Sequence, residues 1–254
     1  MKTGLVSVTF SKKSIEEVVK IAKEAHIDGI EWSAKGEHAV SEVNIDKIKQ
    51  LSKENGLEIF AFGSYCYMTD LEECMKTVDM GVRLSAPVIR IWPGRKSPTE
   101  WTEEEFVQLV ENTRSMASYA AKYQVTLAFE YHRKSLTETA ESAIRLIKAI
   151  NRENVKLYWQ NSGNIDLKDN LLNLKKITPY LCGHFHIQNN YGNEGNQLLA
   201  EIEGDISKYY EPFLQTEYKA LIEFVKGGLA ESFYDDAETL NRILKGEKHG
   251  KHCI

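Results

Sequence analysis

Cysteine is sparse in this chain and never closely spaced. Cys66, Cys74, Cys182 and Cys253 form no C-x-x-C pair, which argues against a zinc ribbon or a thioredoxin-like redox motif. At 254 residues the chain needs no disulfide framework, so free thiols in a reducing compartment are the expectation. Long apolar runs are also missing, and with them a membrane span. The opening MKTGLVSVTF enters a strand-like pattern at once and lacks the apolar segment and small-residue cleavage site of a signal peptide. There is no excess of basic charge: 32 Lys and Arg face 37 Asp and Glu. A protein that tracks nucleic-acid phosphates normally carries a basic stripe. Nucleotide and serine-hydrolase fingerprints are absent too. No G-x-G-x-x-G follows a strand, and there is no P-loop and no G-x-S-x-G elbow. These absences leave a soluble, cytoplasmic protein with no nucleic-acid or membrane partner as the expectation.

What is present is regular alternation. Hydrophobic residues make up 42% of the chain and charged residues 27%, a globular balance with enough apolar material for one large core. Short runs rich in β-branched and aromatic residues read as strands: GLVSVTF, GIEWS, LEIFAFGSY, PVIRIWPG, VTLAFEYH, VKLYWQ, LCGHFHIQ and KALIEFV. Between them lie segments with apolar spacing of three and four, such as IEEVVKIAKEA, IDKIKQLSKEN and TETAESAIRLIKAI, which give a helix one face to lay on a sheet. Ser14 with Glu17, and Thr102 with Glu105, have the spacing of capping boxes. Asn55-Gly56 marks a helix end. Repeated β-then-α units imply parallel strands with right-handed crossovers. Eight of them predict one (β/α)8 barrel spanning 1–254, with no internal linker. The segment from Asn189 to Lys208 is expected to be an extended loop, and the tail GEKHGKHCI to fray.

A barrel of this kind places chemistry where strands end and βα-loops begin. Glu130 and His132 stand two apart in AFEYH and so share a strand face. A carboxylate ending an apolar strand needs a polar mouth, a metal or a salt bridge across the barrel. In GHFHIQ, His184, His186 and Gln188 share one face by the same parity. His-x-His suits a metal, although two histidines also pair by chance. Glu223 sits among Leu221, Ile222, Phe224 and Val225, and an ion so flanked demands a strong partner. Gln160 ends YWQ as a neutral oxygen ligand, a substrate hydrogen-bonding group or an ordinary polar strand end. Glu31 and Trp32, with His38 in the loop beyond, and Arg90 with Trp92, could shape a polyol pocket; Arg90 serves equally well as an ion-pair partner. Lys226 could meet an anionic substrate or simply be solvated.

These segments together resemble the xylose isomerase-like barrel superfamily, in particular its sugar phosphate isomerase/epimerase group. SIEEVVKIAKEAHIDGIEW, PVIRIWPG, FEYHRKSLTET, YWQ, HFHIQ and IEFV carry the resemblance over nearly the whole chain. It implies one divalent metal ion (Mn, Mg, Co or Zn) bound by Glu130, Gln160, His186 and Glu223. Gln160 stands where such relatives have Asp, and Gly163 where a His is frequent. The ligand charge thereby falls from −3 to −2, and hard cations should bind more weakly.

The resemblance further implies proton transfer beside a carbonyl of a small carbohydrate, with Glu130 and Glu223 as the acid–base pair. His132, His184, Glu31, His38, Arg90, Trp92 and Lys226 are the expected substrate-binding residues, and a homodimer is consistent with the group. Two other functions compete: a lyase or dehydratase acting on a polyol or ketose derivative, and a carbohydrate-binding protein without turnover. A phosphodiester-cleaving relative is disfavoured, because FGSY and IWPG lack the additional ligand histidines.

Overall fold

The computed structural model describes residues 1–190 and 195–246. In chain order its elements are β1 (Lys2–Val6), α1 (Ile15–Glu24), β2 (Gly29–Ser33), α2 (Ile45–Glu54), β3 (Glu58–Gly63), α3 (Leu71–Leu84), β4 (Val88–Ile91) and α4 (Glu103–Ala121). There follow β5 (Thr126–Glu130), α5 (Ala140–Ile150), β6 (Val155–Gln160), α6 (Leu167–Ile177), β7 (Leu181–Ile187), α7 (Glu203–Tyr210), β8 (Lys219–Ile222) and α8 (Ala230–Leu244). All strands are parallel and pair in sequence order. The sheet closes where β1 meets β8, with Gly4 opposite Leu221. This is the single (β/α)8 barrel the alternation predicts.

Local chemistry explains the boundaries. Ser14 accepts from the Glu17 amide while Glu17 returns the bond, and Thr102 with Glu105 repeats the exchange at α4. Gly56 takes φ of +71° just past α2, a conformation that leaves glycine unstrained. Two expectations are corrected. The stretch read as one long loop contains a 3-10 turn, Leu199–Ile202, and then α7, whose Ile206, Tyr209 and Tyr210 are buried. Strand β8 is shorter than KALIEFV and stops at Ile222; Phe224 has φ of +54° and is exposed, so it does not enclose Glu223. The tail beyond Gly246, with Cys253, lies outside the described residues, as does 191–194.

Two apolar layers result from strand parity. Outward residues such as Ile89, Leu127, Phe129, Leu157, Trp159, Phe185 and Ile222 pack beneath the helices. Inward residues Val6, Phe60, Val88, Ala128, Tyr158 and Leu221 fill the barrel's interior. Above that plug the inward positions at the strand ends turn polar: Glu31, Arg90, Glu130, Gln160, His186 and Glu223, all buried. The closed sheet thus brings residues from five strands, and Glu223 just past β8, to one place. Among the described residues, no helix is long and apolar enough to cross a membrane.

Candidate functional site

Arg90 lies at the centre of the polar layer. Its Nε donates to Glu31 Oε1 at 2.9 Å, and a terminal nitrogen pairs with Glu130 Oε2. Gly63, opposite Arg90 in the β3–β4 register, leaves room for this pair, since a Cβ there would stand 2.5 Å from Glu31 Oε1. The other oxygen of Glu31 accepts from Tyr158 Oη at 2.5 Å and lies 3.1 Å from His186 Nε2. Glu31 therefore fixes the His186 ring with Nε2 as the protonated nitrogen. That leaves Nδ1 free to face outward.

His186 Nδ1 is 3.3 Å from Glu223 Oε2 and 3.7 Å from Glu130 Oε1. Despite these separations it is buried and makes no well-directed hydrogen bond. Ligand atoms of Glu130, His186 and Glu223 all lie within 4.8 Å of one another, close enough to hold a metal ion. The charges agree with that fit. Glu31 and Glu130 pair with a single guanidinium and Glu223 lies beside His186, so with a neutral imidazole two negative charges remain, which one divalent cation would balance. Burial alone would raise the carboxyl groups of Glu31 and Glu130, but Arg90 and His186 hold both below the ordinary carboxylate range. Burial also opposes charge on His186, yet Glu223 and Glu31 pull it well above the usual imidazole value, so Nδ1 takes up a proton between the two carboxylates, and an ion bound there would release it and leave the ring neutral.

Gln160 does not stand as an oxygen ligand in this arrangement. Its Nε2 donates to Tyr131 O at 3.0 Å and to Glu130 Oε1 at 3.2 Å, while its Oε1 accepts from Gln188. Flipping the amide would press oxygen against the Tyr131 carbonyl, so that carbonyl fixes the orientation. Gln160 instead ties down Glu130.

Above the cluster opens a cavity of about 490 Å³, within the range of small-molecule sites. Glu130, Gln160, Glu223, Arg90, Trp92 and His132 line it. His132 lies in the loop past β5, its ring 4.8 Å from that of Trp92. Its Nδ1 is 2.5 Å from the carbonyl of Arg133, so that nitrogen carries the proton and Nε2 is the basic one.

Other expected substrate residues fall elsewhere. His184 is one layer deeper, bonded to Phe60 O at 3.2 Å, and burial pushes it down to about 4. Both ring nitrogens of His38 are engaged, by Lys13 O and Ser7 Oγ, and the ring packs against Trp32 in the outer layer. Glu31 is fully buried beneath His186 rather than facing the cavity. Lys226 pairs with Glu201 at 3.6 Å and does not line the cavity. Parity could have found Tyr158, two residues before Gln160. It could not have found Tyr65, a wall residue of the cavity on the loop after β3.

A closed parallel barrel with such a ring at the strand ends defines a class, and comparison with known proteins agrees. Residues 19–222 match the model of the xylose isomerase-like TIM barrel family, and the chain belongs to that family. A 3-dehydroshikimate dehydratase of Bacillus anthracis is 21% identical over 207 residues, covering 74% of this chain and 72% of the relative. Among solved structures, the probable 3-DHS dehydratase involved in petrobactin synthesis from Bacillus anthracis superposes with a TM-score of 0.77 at 19% identity, covering 95% of this chain and 99% of the other. D-psicose 3-epimerase from Clostridium cellulolyticum H10, solved with D-tagatose, gives 0.67 at 16% identity over 97% and 96%. The zinc-bound IOLI protein gives 0.75 at 14% identity over 98% and 100%.

Proposed function

We propose that this protein is a divalent-metal-dependent enzyme that moves a proton at a carbon beside a carbonyl of a small polyhydroxylated substrate, as a sugar isomerase or epimerase does. The observation that carries this reading is His186 Nδ1, buried and without a well-directed partner, facing Glu130 and Glu223 beneath an open cavity. Glu130, His186 and Glu223 would hold the ion. When bound, it supplies Lewis-acid stabilisation of negative charge growing on a carbonyl oxygen.

The chain's own groups divide the remaining work. Glu130 has one oxygen on Arg90 and the other on Gln160, so it is held in place and poorly free to move a proton. Glu223 contacts only His186 among these groups and borders the cavity, so it is the carboxylate available as base or acid. His132 Nε2 is a second basic atom at the cavity wall. The acid–base pair that the resemblance implies, Glu130 with Glu223, gives way in this reading to Glu223 with His132, which narrows the proton-moving carboxylates to one.

That narrowing also favours the dehydratase reading. Isomerisation and dehydration share the same first proton abstraction. In the second case a β-hydroxyl leaves as water after protonation, and an imidazole beside a carboxylate can serve both steps. The 21% identical dehydratase supports keeping this reading beside the first.

The test uses nuclear magnetic resonance in deuterated water with Mn, Mg, Co or Zn. The protein is offered a panel of ketoses, ketose phosphates and 3-dehydroshikimate. Deuterium entering a carbon with all hydroxyls retained identifies an epimerase or isomerase; loss of water identifies a dehydratase. Glu223→Gln should lower either rate by roughly 10²–10⁴-fold while the protein stays folded. Retained exchange would remove Glu223 from the mechanism, and no turnover of any panel member with any metal would overturn the reading.

A further inference from the structure

The sequence keeps Cys66 and Cys74 eight residues apart, on the loop after β3 and in the first turn of α3. The fold brings them together. Their sulfurs are 2.7 Å apart, and both residues are almost wholly buried. Unbonded sulfurs do not rest so close, whereas a disulfide needs roughly 2.05 Å, so only a small shift separates the pair from a bond. Neither thiol belongs to the metal cluster or lines its cavity.

The pair sits behind the cavity wall. Cys66 O accepts from the Trp92 amide at 2.9 Å. Its chain neighbours Tyr65 and Tyr67 both lie against the Trp92 ring, Tyr65 stacked at 6.4 Å and Tyr67 tilted at 6.3 Å. Tyr65 and Trp92 line the cavity. Whatever fixes Cys66 therefore fixes one wall of the mouth.

We propose that Cys66 and Cys74 are a modification site, closing to a disulfide under a hydroperoxide and pinning the 64–70 loop to α3. Contact between the two thiols holds Cys66 lower and pushes Cys74 up, so Cys66 is taken as the attacking thiolate. Cys66 sulfur attacks the terminal peroxide oxygen, the O–O bond breaks, and a sulfenic acid forms with water or alcohol released. Cys74 sulfur then attacks the sulfenyl sulfur. The S–S bond forms as the S–O bond breaks, and a water leaves carrying the Cys74 proton. Two electrons pass from the two sulfurs to one peroxide. Because both sulfurs are buried, the rate follows transient opening of the loop.

The experiment treats the folded protein with hydrogen peroxide, unfolds it, blocks free thiols with iodoacetamide and digests it with trypsin. No Lys or Arg lies between Lys53 and Lys76, so one peptide, 54–76, holds both cysteines. The expected product is that peptide unalkylated and lighter by two hydrogens, gaining two alkyl groups if dithiothreitol precedes the block. In Cys74→Ser, dimedone should instead trap Cys66 as its sulfenic acid. Hydrogen exchange of 64–70 should slow in the oxidised wild type. Two alkylated cysteines after peroxide, sulfinic acid in place of the disulfide, or exchange at 64–70 unchanged by oxidation would each overturn the proposal.

Discussion

Among the described residues carboxylates are buried in two places, and the two places treat them oppositely. At the barrel mouth Glu31 and Glu130 are sealed from solvent, which alone would raise them, yet His186 against Glu31 and Arg90 between the two hold both below the ordinary carboxylate range. On α8, Asp236 is as well buried but meets no cation. Its Oδ1 accepts from the Leu199 amide at 2.7 Å, its Oδ2 has no partner, and burial pushes it up to about 7. Burial costs both sites in the same way, so the countercharge decides which stays ionised. The mouth keeps its negative charge, whereas α8 sheds its charge by keeping a proton.

The sharpest way to break this comparison is to remove the countercharge. Arg90→Met leaves Glu31 and Glu130 facing each other in a dry layer, and unfolding in denaturant should show a loss of roughly 3–5 kcal/mol. Divalent metal should recover part of that loss, since a ligand that binds only the folded state stabilises it. Unchanged stability would mean that the mouth tolerates its charges without Arg90.

Asp236 gives the next largest effect, with the opposite dependence on pH. Its folded value lies above the ordinary 3.8, so the folded state holds the extra proton between those values. The stability this provides is complete below about pH 4 and is lost as pH rises through about 7. Between pH 5 and 8 the wild type should lose roughly 2–4 kcal/mol from this group. Asp236→Asn keeps the acceptor for Leu199 and removes the titration, so its profile over that window should be flatter. Parallel profiles for the two proteins would show that Asp236 stays ionised in the fold.

What could be foreseen, and what could not, follows from the same contrast. Parity along each strand says which face a residue takes, and together with the family resemblance it brings Glu130, His186 and Glu223 to one interior. Parity does not say how deep a residue sits. His184 and His186 share a face, but the stagger of β7 against β8 sets His184 opposite Lys219 and His186 opposite Leu221, so only the second reaches the mouth. Nor does parity assign partners. Gln160 reaches the mouth by parity, but the direction of its amide is set by the Tyr131 carbonyl, which is backbone and leaves no mark in the sequence pattern. Helix α7 is hard to read from sequence because EGDISKYY offers one buried aliphatic residue, Ile206, beside two buried tyrosines, and the Gly/Asn-rich stretch before it masks the start of the pattern.

Glu31→Gln tests the support beneath the metal cluster. A neutral amide cannot accept from Arg90, Tyr158 and His186 as the carboxylate does, and its NH2 group would oppose one of those donors. The His186 ring should lose its fixed tautomer, and calorimetric titration with Mn or Zn should show affinity weaker by roughly 10–100-fold. An unaltered affinity would leave Glu31 as a partner of Arg90 alone.

Lys226→Ala should do least, and this makes it a useful control on the whole arrangement. The side chains of Lys226 and Glu201 are about half exposed, at 48% and 50%. An ion pair so placed gains little from attraction in water and gives up side-chain freedom to form, so its removal should alter stability by less than about 0.5 kcal/mol. Because Lys226 lies outside the cavity lining, metal affinity and KM should stay at wild-type values as well. A rise in KM of roughly tenfold or more, equivalent to about 1.4 kcal/mol of lost binding, would mean that substrate extends past Phe224 to the rim. The charge that matters at this mouth would then include one that the buried ring does not contain.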